Sequence, residues 1–345
     1  MAVEQFVVAG LALLLSVALT GVVRVYALRA GLLDAPNLRS SHLEPTPRGG
    51  GIAIAAVVCL GLAGLAAFNR FDARTVVAIV PAGLAVAIAG FVDDRRGLSP
   101  GIRFAIHLGA AILYLVTVSG PPTLGIRWLD SLPWLAFVVT LLGLVWLLNL
   151  FNFMDGIDGI AGSELASVSF GLALVACLSG GAREPQLLGL LLGSAGIGFL
   201  AWNWPPARIF MGDVGSGFAG MVLGMLALQT MRDCDVTAWV PLILLGVFTA
   251  DATLTLLRRA LRGERLYDAH RTHAYQWMSR RWGSHRRVVL GQIAINMLWL
   301  LPLALLAQRF PRLSWLIAII AYMPLVGIGC WAGAGRAERS NGQVA

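Results

Sequence analysis

The sequence predicts an all-α protein, a polytopic membrane bundle of about eleven transmembrane helices (ten or eleven). Of the 345 residues, 58% are hydrophobic and 13% are charged, which is about half the charge of a soluble domain. The mean hydropathy is +0.77, and apolar runs long enough to span a bilayer recur along the whole chain. The expected spans lie at roughly 5–27, 50–68, 75–92, 103–119, 132–150, 159–179, 186–202, 215–231, 238–257, 288–307 and 313–331.

The first run is expected to be a membrane helix and not a cleavable signal. It lacks a basic leading region and a small-residue cleavage site, and further spans follow it. The cysteines form no C-x-x-C pair, so neither a disulfide framework nor a zinc site is indicated.

The arginines predict the orientation of the chain. All 26 basic residues are arginine; 19 lie in or beside odd-numbered connections or in the C-terminal tail, and seven lie on the other side. The positive-inside rule therefore places the N-terminus outside and the C-terminus in the cytoplasm. The arginines that give the net charge of +8 are expected to orient the chain in the membrane and to bind phosphate. No nucleic-acid partner is expected.

The whole chain, 1–345, is predicted to be a single integral-membrane domain, because most of its connections are short. Five cytoplasmic loops, at 28–49, 93–102, 149–159, 203–214 and 258–287, carry almost all the clustered carboxylates and histidines. Polar and charged groups are costly near a bilayer, so their repetition on one side indicates a site.

The first two loops hold basic, glycine-rich and acidic motifs. Loop one contains Ser40-Ser41-His42 and Pro45-Thr46-Pro47-Arg48-Gly49-Gly50-Gly51, and the next cytoplasmic loop begins with Asp93-Asp94-Arg95-Arg96. Adjacent carboxylates repel each other, so their ionised forms require a nearby cation, either Mg²⁺ or the arginines. A charged helix end with its own salt bridges is the alternative.

The third loop places four polar residues at intervals of three: Asn149, Asn152, Asp155 and Asp158. This spacing gives them roughly one face while the segment stays helical, and Gly156 and Gly159 predict that the helix breaks there. Such a density of amide and carboxylate oxygens suits a hard cation or a sugar nucleotide.

The last two loops combine one carboxylate with glycines, and two histidines with arginines. Asp213 lies in Met211-Gly212-Asp213-Val214-Gly215-Ser216, beside a helix expected to begin near Val214. His270 and His273, three residues apart, can share a helix face, within a loop whose 269–282 segment is expected to form a short interfacial helix or an ordinary basic anchor. His107, Asp251 and Glu164 lie within or beside spans and are expected to have structural roles.

Taken in order along the whole chain, these motifs resemble those of the polyprenyl-phosphate N-acetylhexosamine-1-phosphate transferases, the glycosyltransferase 4 or lipid I translocase-like family. The form His270-Arg271-Thr272-His273 is similar to the branch that initiates O-antigen. Some relatives use a lysine near the phosphates, and because this sequence has none, any such role must fall to an arginine or disappear.

The resemblance implies transfer of N-acetylhexosamine-1-phosphate, or a 6-deoxy analogue, from a UDP-sugar to undecaprenyl phosphate, with release of UMP. The product would begin a lipid-linked cell-surface glycan such as O-antigen. The resemblance also implies Mg²⁺, with Mn²⁺ as a substitute, a homodimer among membrane lipids, and an active site on the cytoplasmic face of the bacterial inner membrane.

The site residues follow from the same resemblance. The expected catalytic residues are Asp93, Asp94, Asp213, His270 and His273. The expected substrate-binding residues are Asn149, Asn152, Asp155, Asp158, Arg48, Arg95 and Arg271. The expected metal ligands are Asp213, Asp94 and Asp155. Asp93 is expected to act either as a base or by positioning metal or phosphate.

Two other classes of protein remain as alternatives. A secondary transporter also has many helices, but its ionisable groups should lie near the bilayer midplane, often in repeated halves; here they lie in loops and no repeat is visible. A CDP-alcohol phosphotransferase also joins lipids with clustered Asp and Mg²⁺, but Asp155-Gly156 is not followed by the Ala-Arg typical of that family.

Overall fold

The computed structural model describes residues 2–34, 44–265 and 270–337. Ser40, Ser41 and His42 of the first predicted loop lie outside these described residues.

The described chain is a bundle of helices with one two-stranded ribbon. The helices are α1 (Ala2–Arg29), α2 (Gly51–Ala67), α3 (Ala73–Arg96), α4 (Pro100–Thr117), α5 (Arg127–Asp130), α6 (Pro133–Met154), α7 (Ile160–Leu178), α8 (Arg183–Asn203), α9 (Asp213–Cys234), α10 (Trp239–Leu244), α11 (Gly246–Leu261), α12 (Ala274–Trp282), α13 (His285–Ile295), α14 (Leu301–Arg309) and α15 (Ser314–Ala332). A π-helical turn, Asn296–Leu300, joins α13 to α14, and a 3₁₀ turn, Pro311–Leu313, precedes α15. The strands β1 (Leu33–Asp34) and β2 (Thr46–Pro47) pair antiparallel.

The predicted multi-pass helical bundle is confirmed. Within the described residues, nine helical segments are long and apolar enough to cross a membrane. Two further predicted spans are also helical: α2 is apolar but shorter, and the predicted span 238–257 is divided at Leu245 into α10 and α11. Each of the eleven predicted runs therefore corresponds to helical structure.

The predicted loop boundaries are wrong at several places. Asp93 and Asp94 lie in the last turns of α3, and Asn149 and Asn152 lie within α6. The predicted loop 258–287 is helical over 258–261, 274–282 and 285–287. The predicted span 75–92 ended just before its first carboxylate, whereas a helix continues until its backbone hydrogen bonding is interrupted, as at Gly97 (φ 69°).

Helix α9 lies at the centre of the bundle. In its most apolar window 94% of the residues are buried, against 17% for α1, and α9 contacts α2, α3, α6, α7 and α8. Close approach to α6 depends on Gly220, where a Cβ atom would lie 2.8 Å from the Phe151 Cβ. This packing holds Asp213, the first residue of α9, among the ends of several other helices.

Candidate active site

The corner between α3 and α4 positions the first carboxylate. Gly97 ends α3, while the Ser99 side chain caps α4 by accepting from the Ile102 N–H, with Pro100 at the first helical position. This turn brings the start of α4 back beside Asp93. Asp93 Oδ1 accepts from the Leu98 N–H at 2.6 Å, and Asp93 Oδ2 lies 2.7 Å from Arg103 Nη1.

Asp94 holds the beginning of α9. Its carboxylate accepts from the backbone N–H groups of Asp213 at 3.3 Å and Val214 at 3.4 Å, which are donors that a helix N-terminus leaves without intrahelical partners. Gly212, at φ 74°, makes the approach possible, since a Cβ there would lie 2.7 Å from Asp94 Oδ2. Arg48 forms an ion pair with the same carboxylate and also donates to the Asp94 carbonyl at 3.0 Å.

Backbone hydrogen bonds bring Arg48 to this position. The Phe210 N–H donates to the Pro47 carbonyl at 2.8 Å, and the Gly50 N–H donates to the Phe210 carbonyl at 2.9 Å. The Gly51 N–H then donates to the Met211 carbonyl at 2.9 Å. Two motifs more than 150 residues apart in the sequence are thus joined through their backbones.

Asp213 is the most open of the three carboxylates. Its side chain is 38% exposed, whereas those of Asp93 and Asp94 are 10% and 8% exposed. Asn152 Nδ2 donates to Asp213 Oδ1 at 2.9 Å, and Arg103 Nη1 lies 3.9 Å from Asp213 Oδ2. The carboxylates of Asp93 and Asp213 thus lie on either side of the same Arg103 nitrogen. Asp213 is therefore the carboxylate best placed to meet an incoming ligand.

Asp155 follows α6 and shares the electrostatic environment of this cluster. Burial raises the pKa of its carboxyl well above the ordinary value, and the carboxylates of Asp213, Asp94 and Asp158 raise it further. The charges of three other carboxylates thus act on Asp155.

Asn149 and Asp158, two further predicted residues of this segment, are held differently. Asn149 donates to the Val145 carbonyl at 2.7 Å. Asp158 accepts from the Ala207 N–H at 3.1 Å and lies 3.2 Å from His285 Nδ1. The predicted shared face of four residues therefore brings Asn152 directly to Asp213, while Asp158 joins other partners.

The two histidines of the predicted loop 258–287 lie together beside the end of α6. His270 Nε2 is 3.2 Å from His273 Nε2, and the two rings are stacked with centroids 5.0 Å apart. The Phe153 ring lies 6.4 Å from the His270 ring. The two histidines are thus adjacent, but not on a shared helix face as their spacing predicted, because α12 begins only at Ala274 and His273 is its N-cap.

Two predicted substrate-binding arginines have other surroundings. The guanidinium of Arg95 lies 4.3 Å from the Phe91 ring centroid and donates to the Tyr26 hydroxyl. Arg271 lines a separate cavity of about 520 Å³ with Trp277 and Arg336. Their binding roles remain predictions.

A cavity of about 740 Å³ opens between α3, α4, α6 and α9. One part of its wall is polar and includes Asp93, Arg103, His107, Asn149, Asn152 and Asp213. The remainder is largely apolar and includes Val86, Phe104, Leu142, Val145, Trp146 and Leu148. Asp93 and Asp213 therefore lie where the apolar part of this cavity meets its polar part.

The residues of this cluster suit a hard divalent cation in kind. Mg²⁺ prefers carboxylate and carbonyl oxygens together with water. Asp94, Asp155 and Asp213 supply carboxylate oxygens, and burial, followed by the charges of Asp213 and Asp94, raises the pKa of the Asp155 carboxyl. Over the ranges that the structure describes, however, no three His, Cys, Asp or Glu side chains are arranged to hold a metal ion. Asp213, Asp94 and Asp155 remain the predicted ligands, and some side-chain movement is required for them to converge.

Sequence reasoning missed Arg103 and assigned His107 a structural role, yet both line the cavity beside Asp93. The Ser99-Pro100 cap is the signal that marks the start of α4, and it places Arg103 in the first turn. His107 then follows one turn later on the same helix.

Comparison with known proteins identifies the family. The family model described as glycosyl transferase family 4 matches residues 75–231. A probable undecaprenyl-phosphate N-acetylglucosaminyl 1-phosphate transferase of Bacillus subtilis is 31% identical over 323 residues, covering 92% of this chain and 89% of the relative.

Two other relatives extend the comparison. The decaprenyl-phosphate N-acetylglucosaminephosphotransferase of Mycolicibacterium smegmatis is 30% identical, with 79% of this chain and 74% of the relative covered. A phospho-N-acetylmuramoyl-pentapeptide-transferase of a Synechococcus strain is 31% identical, with 72% of each chain covered. These relatives place the chain, with its multi-pass helical bundle, in a class of membrane-bound sugar-phosphate transferases. The chain is a member of glycosyl transferase family 4.

Proposed function

We propose that this protein transfers N-acetylhexosamine-1-phosphate, or a 6-deoxy analogue, from a UDP-sugar to undecaprenyl phosphate and releases UMP. The observation that carries the proposal is the position of Asp93, Asp213 and Arg103 at the polar end of a partly apolar cavity. A soluble, anionic donor and a lipid acceptor must meet in such a place.

The cavity provides different surroundings for the two ends of the acceptor. Leu142, Val145 and Trp146 offer an apolar wall to the isoprenoid chain, while Arg103 lies at the polar end for the phosphate. Arg103 thereby takes the cationic role that a lysine has in some relatives. Its planar guanidinium can pair with a carboxylate and a phosphate together, which a single ammonium group does less well.

The reaction exchanges one phosphorus–oxygen bond for another. An oxygen of the lipid phosphate attacks the sugar-linked phosphorus of the donor, and the bond from that phosphorus to UMP breaks with its electron pair leaving on UMP. Asp213, Asp94 and Asp155 would hold Mg²⁺ or Mn²⁺, which supplies charge to offset the diphosphate when bound.

Asp93 acts by positioning in this proposal. Its carboxylate is already held by Arg103 at 2.7 Å and by the Leu98 N–H at 2.6 Å. A phosphate monoester has a second pKa of about 6 and is mostly dianionic at neutral pH. The acceptor therefore needs no proton removed, and Asp93 orients Arg103 towards it.

The remaining predicted residues bind or surround the donor. His270 and Arg271 steady the diphosphate, and the buried His273 acts on it through the His270 ring, 3.2 Å away. Arg48 supplies positive charge beside Asp94. Asn149, Asn152 and Asp158 shape the nucleotide end of the site, where Asn152 also orients Asp213 at 2.9 Å. Arg95 is retained as a phosphate contact that requires its side chain to leave the Phe91 ring.

The donor sugar and the setting complete the proposal. Two of the relatives described above act on N-acetylglucosamine by name, so UDP-N-acetylglucosamine is the first donor to test. The product begins a lipid-linked surface glycan such as O-antigen. The enzyme acts as a homodimer in the bacterial inner membrane. Its site faces the cytoplasm, an orientation that agrees with the arginine-rich odd-numbered connections.

The test is a donor screen with purified protein in detergent. UMP release is measured with undecaprenyl phosphate and a panel of UDP-N-acetylhexosamines and their 6-deoxy analogues, with and without Mg²⁺. Release that requires both the lipid and the cation supports the proposal. Absence of UMP with every donor, from folded protein, contradicts it, and accumulation of intact UDP-sugar inside proteoliposomes would indicate a transporter.

A further inference from the structure

Asp251 is a buried carboxylate that lies apart from the cluster of Asp93, Asp94, Asp155 and Asp213. It lies beside residues 270–273, here called the histidine loop. Asp251 belongs to α11 and is 7% exposed. Its Oδ1 accepts from the Ala274 N–H at 2.8 Å, and its Oδ2 accepts from the Tyr275 N–H at 3.0 Å. These donors are the first two N–H groups of α12, so Asp251 caps that helix from another helix.

The same carboxylate faces a histidine of the site. Asp251 Oδ1 lies 3.4 Å from His273 Nδ1, and the opposite ring nitrogen of His273 lies 3.2 Å from His270 Nε2. His273 is 1% exposed, so its ring has little freedom. A carboxylate beside one imidazole nitrogen fixes both the ring orientation and the nitrogen that faces the next group.

Helix α12 is also fixed to the end of α6. The Tyr275 hydroxyl donates to the Phe153 carbonyl at 3.1 Å. A Cβ atom at Gly156 would lie 2.1 Å from that hydroxyl, so only glycine permits this approach. Movement of the start of α12 would therefore disturb both the histidines and the segment that carries Asp155.

We infer that Asp251 is a positioning residue, which holds His273 and the start of α12 so that the histidine pair is presented to the donor diphosphate. The inference rests on the proposed function, because its consequence is measured on that reaction. A purely structural cap would satisfy the N–H groups of α12 without acting through His273.

The experiment is a double-mutant cycle on full-length protein. Asp251→Asn preserves the shape but removes the charge, and we expect a loss of about 10- to 100-fold in kcat/KM for the UDP-sugar, as for other residues that orient a functional histidine. His273→Ala should cause a comparable or larger loss. If Asp251 acts through His273, the double variant should be no slower than His273→Ala.

The control is Thr255→Val. Thr255 Oγ1 donates to the same Asp251 oxygen at 3.1 Å. Among the described residues its hydroxyl has no hydrogen bond to His270 or His273, so kcat/KM should stay within about twofold of wild type. If the loss in kcat/KM of the double variant equals the product of the losses of Asp251→Asn and His273→Ala, the inference is overturned. Full activity of Asp251→Asn would also overturn it.

A measurement on wild-type protein covers the case in which Asp251→Asn does not fold. Nitrogen NMR of histidine-labelled protein, with His273 assigned from its missing signals in His273→Ala, should find a proton on Nδ1, facing Asp251. A His273 proton on Nε2 alone would overturn the inference. If wild-type protein releases no UMP, the proposed function itself fails; if it does and the two losses multiply, only the role of Asp251 fails.

Discussion

Replacement of Arg103 by glutamine tests the electrostatics of the site. Arg103 Nη1 lies 2.7 Å from Asp93 Oδ2 and 3.9 Å from Asp213 Oδ2, so one guanidinium offsets two carboxylates at the polar end of the cavity. Arg103→Gln removes this charge while keeping a polar side chain of similar length. The carboxylates would then repel each other and the incoming phosphates.

The size of the effect follows from the distances. Two unit charges about 4 Å apart interact by about 4 kcal/mol at an effective dielectric constant of about 20. The Arg103 side chain is 36% exposed, and screening by water reduces this to about 2 to 3 kcal/mol. That range corresponds to a loss of roughly 30- to 150-fold in kcat/KM.

The assay is steady-state UMP release at fixed Mg²⁺, with Arg96→Gln as the matched control. Arg96 is an exposed arginine at the end of α3, so the control makes the same change in charge near the same corner and should stay within about twofold of wild type. Arg103→Lys should be less impaired than Arg103→Gln, because it keeps the charge and loses only the planar geometry. Wild-type turnover by folded Arg103→Gln protein would refute the reasoning.

Three further predictions follow. Asp93→Asn should lower the rate at every pH, because the acceptor phosphate, with a pKa of about 6, is already ionised at neutrality; a pH–rate profile that recovers towards wild type between about pH 6 and 9 would instead identify Asp93 as the base. The pKa of Asp155 is raised by burial, so the folded state favours the protonated carboxyl. The free energy of unfolding should therefore fall as pH rises from about 4, the pKa of Asp155 in the unfolded chain, through its higher pKa in the folded protein. Asp155→Asn should flatten that decline in apparent Tm, measured in metal-free detergent, and an unchanged decline would contradict the assigned environment. Finally, reporters fused after Arg265 and near Asp233 should lie on opposite sides of the membrane, and reporters on the same side would show that the expected topology between them is wrong.

Periodicity and composition were sufficient to predict the bundle, but not the ends of its helices. A long apolar run identifies a membrane helix because the bilayer demands internal backbone hydrogen bonds. That demand does not stop at the first charged residue, so Asp93 and Asp94 lie in α3 and not in a loop. Residues two positions apart on a helix point about 200° apart, so Asp93 faces Arg103 while Arg95 lies over the Phe91 ring.

Partners that are distant in sequence limited what could be predicted about the site. The approach of Asn152 to Asp213 depends on the packing of α6 against α9, and Asp158 meets His285 from another helix altogether. Asp251 resembled an ordinary buried polar residue until its contacts with Ala274 and His273 were known. The order of the motifs predicted which segments contribute residues to the site. Which of their side chains are in contact depends on the packing of the helices.

The products of a single turnover test the central claim most directly. Wild-type protein and Asp213→Ala are incubated with undecaprenyl phosphate, Mg²⁺ and UDP-N-acetylglucosamine labelled with ³²P at the sugar-linked phosphorus; if the donor screen selects another sugar, that donor is used. The account predicts that wild type transfers the label into a polyprenyl-diphosphate-sugar and releases unlabelled UMP. Folded Asp213→Ala should transfer none, because it lacks the open carboxylate of the cluster. Labelled UDP with a polyprenyl-monophosphate-sugar, or full transfer by Asp213→Ala, would contradict the account.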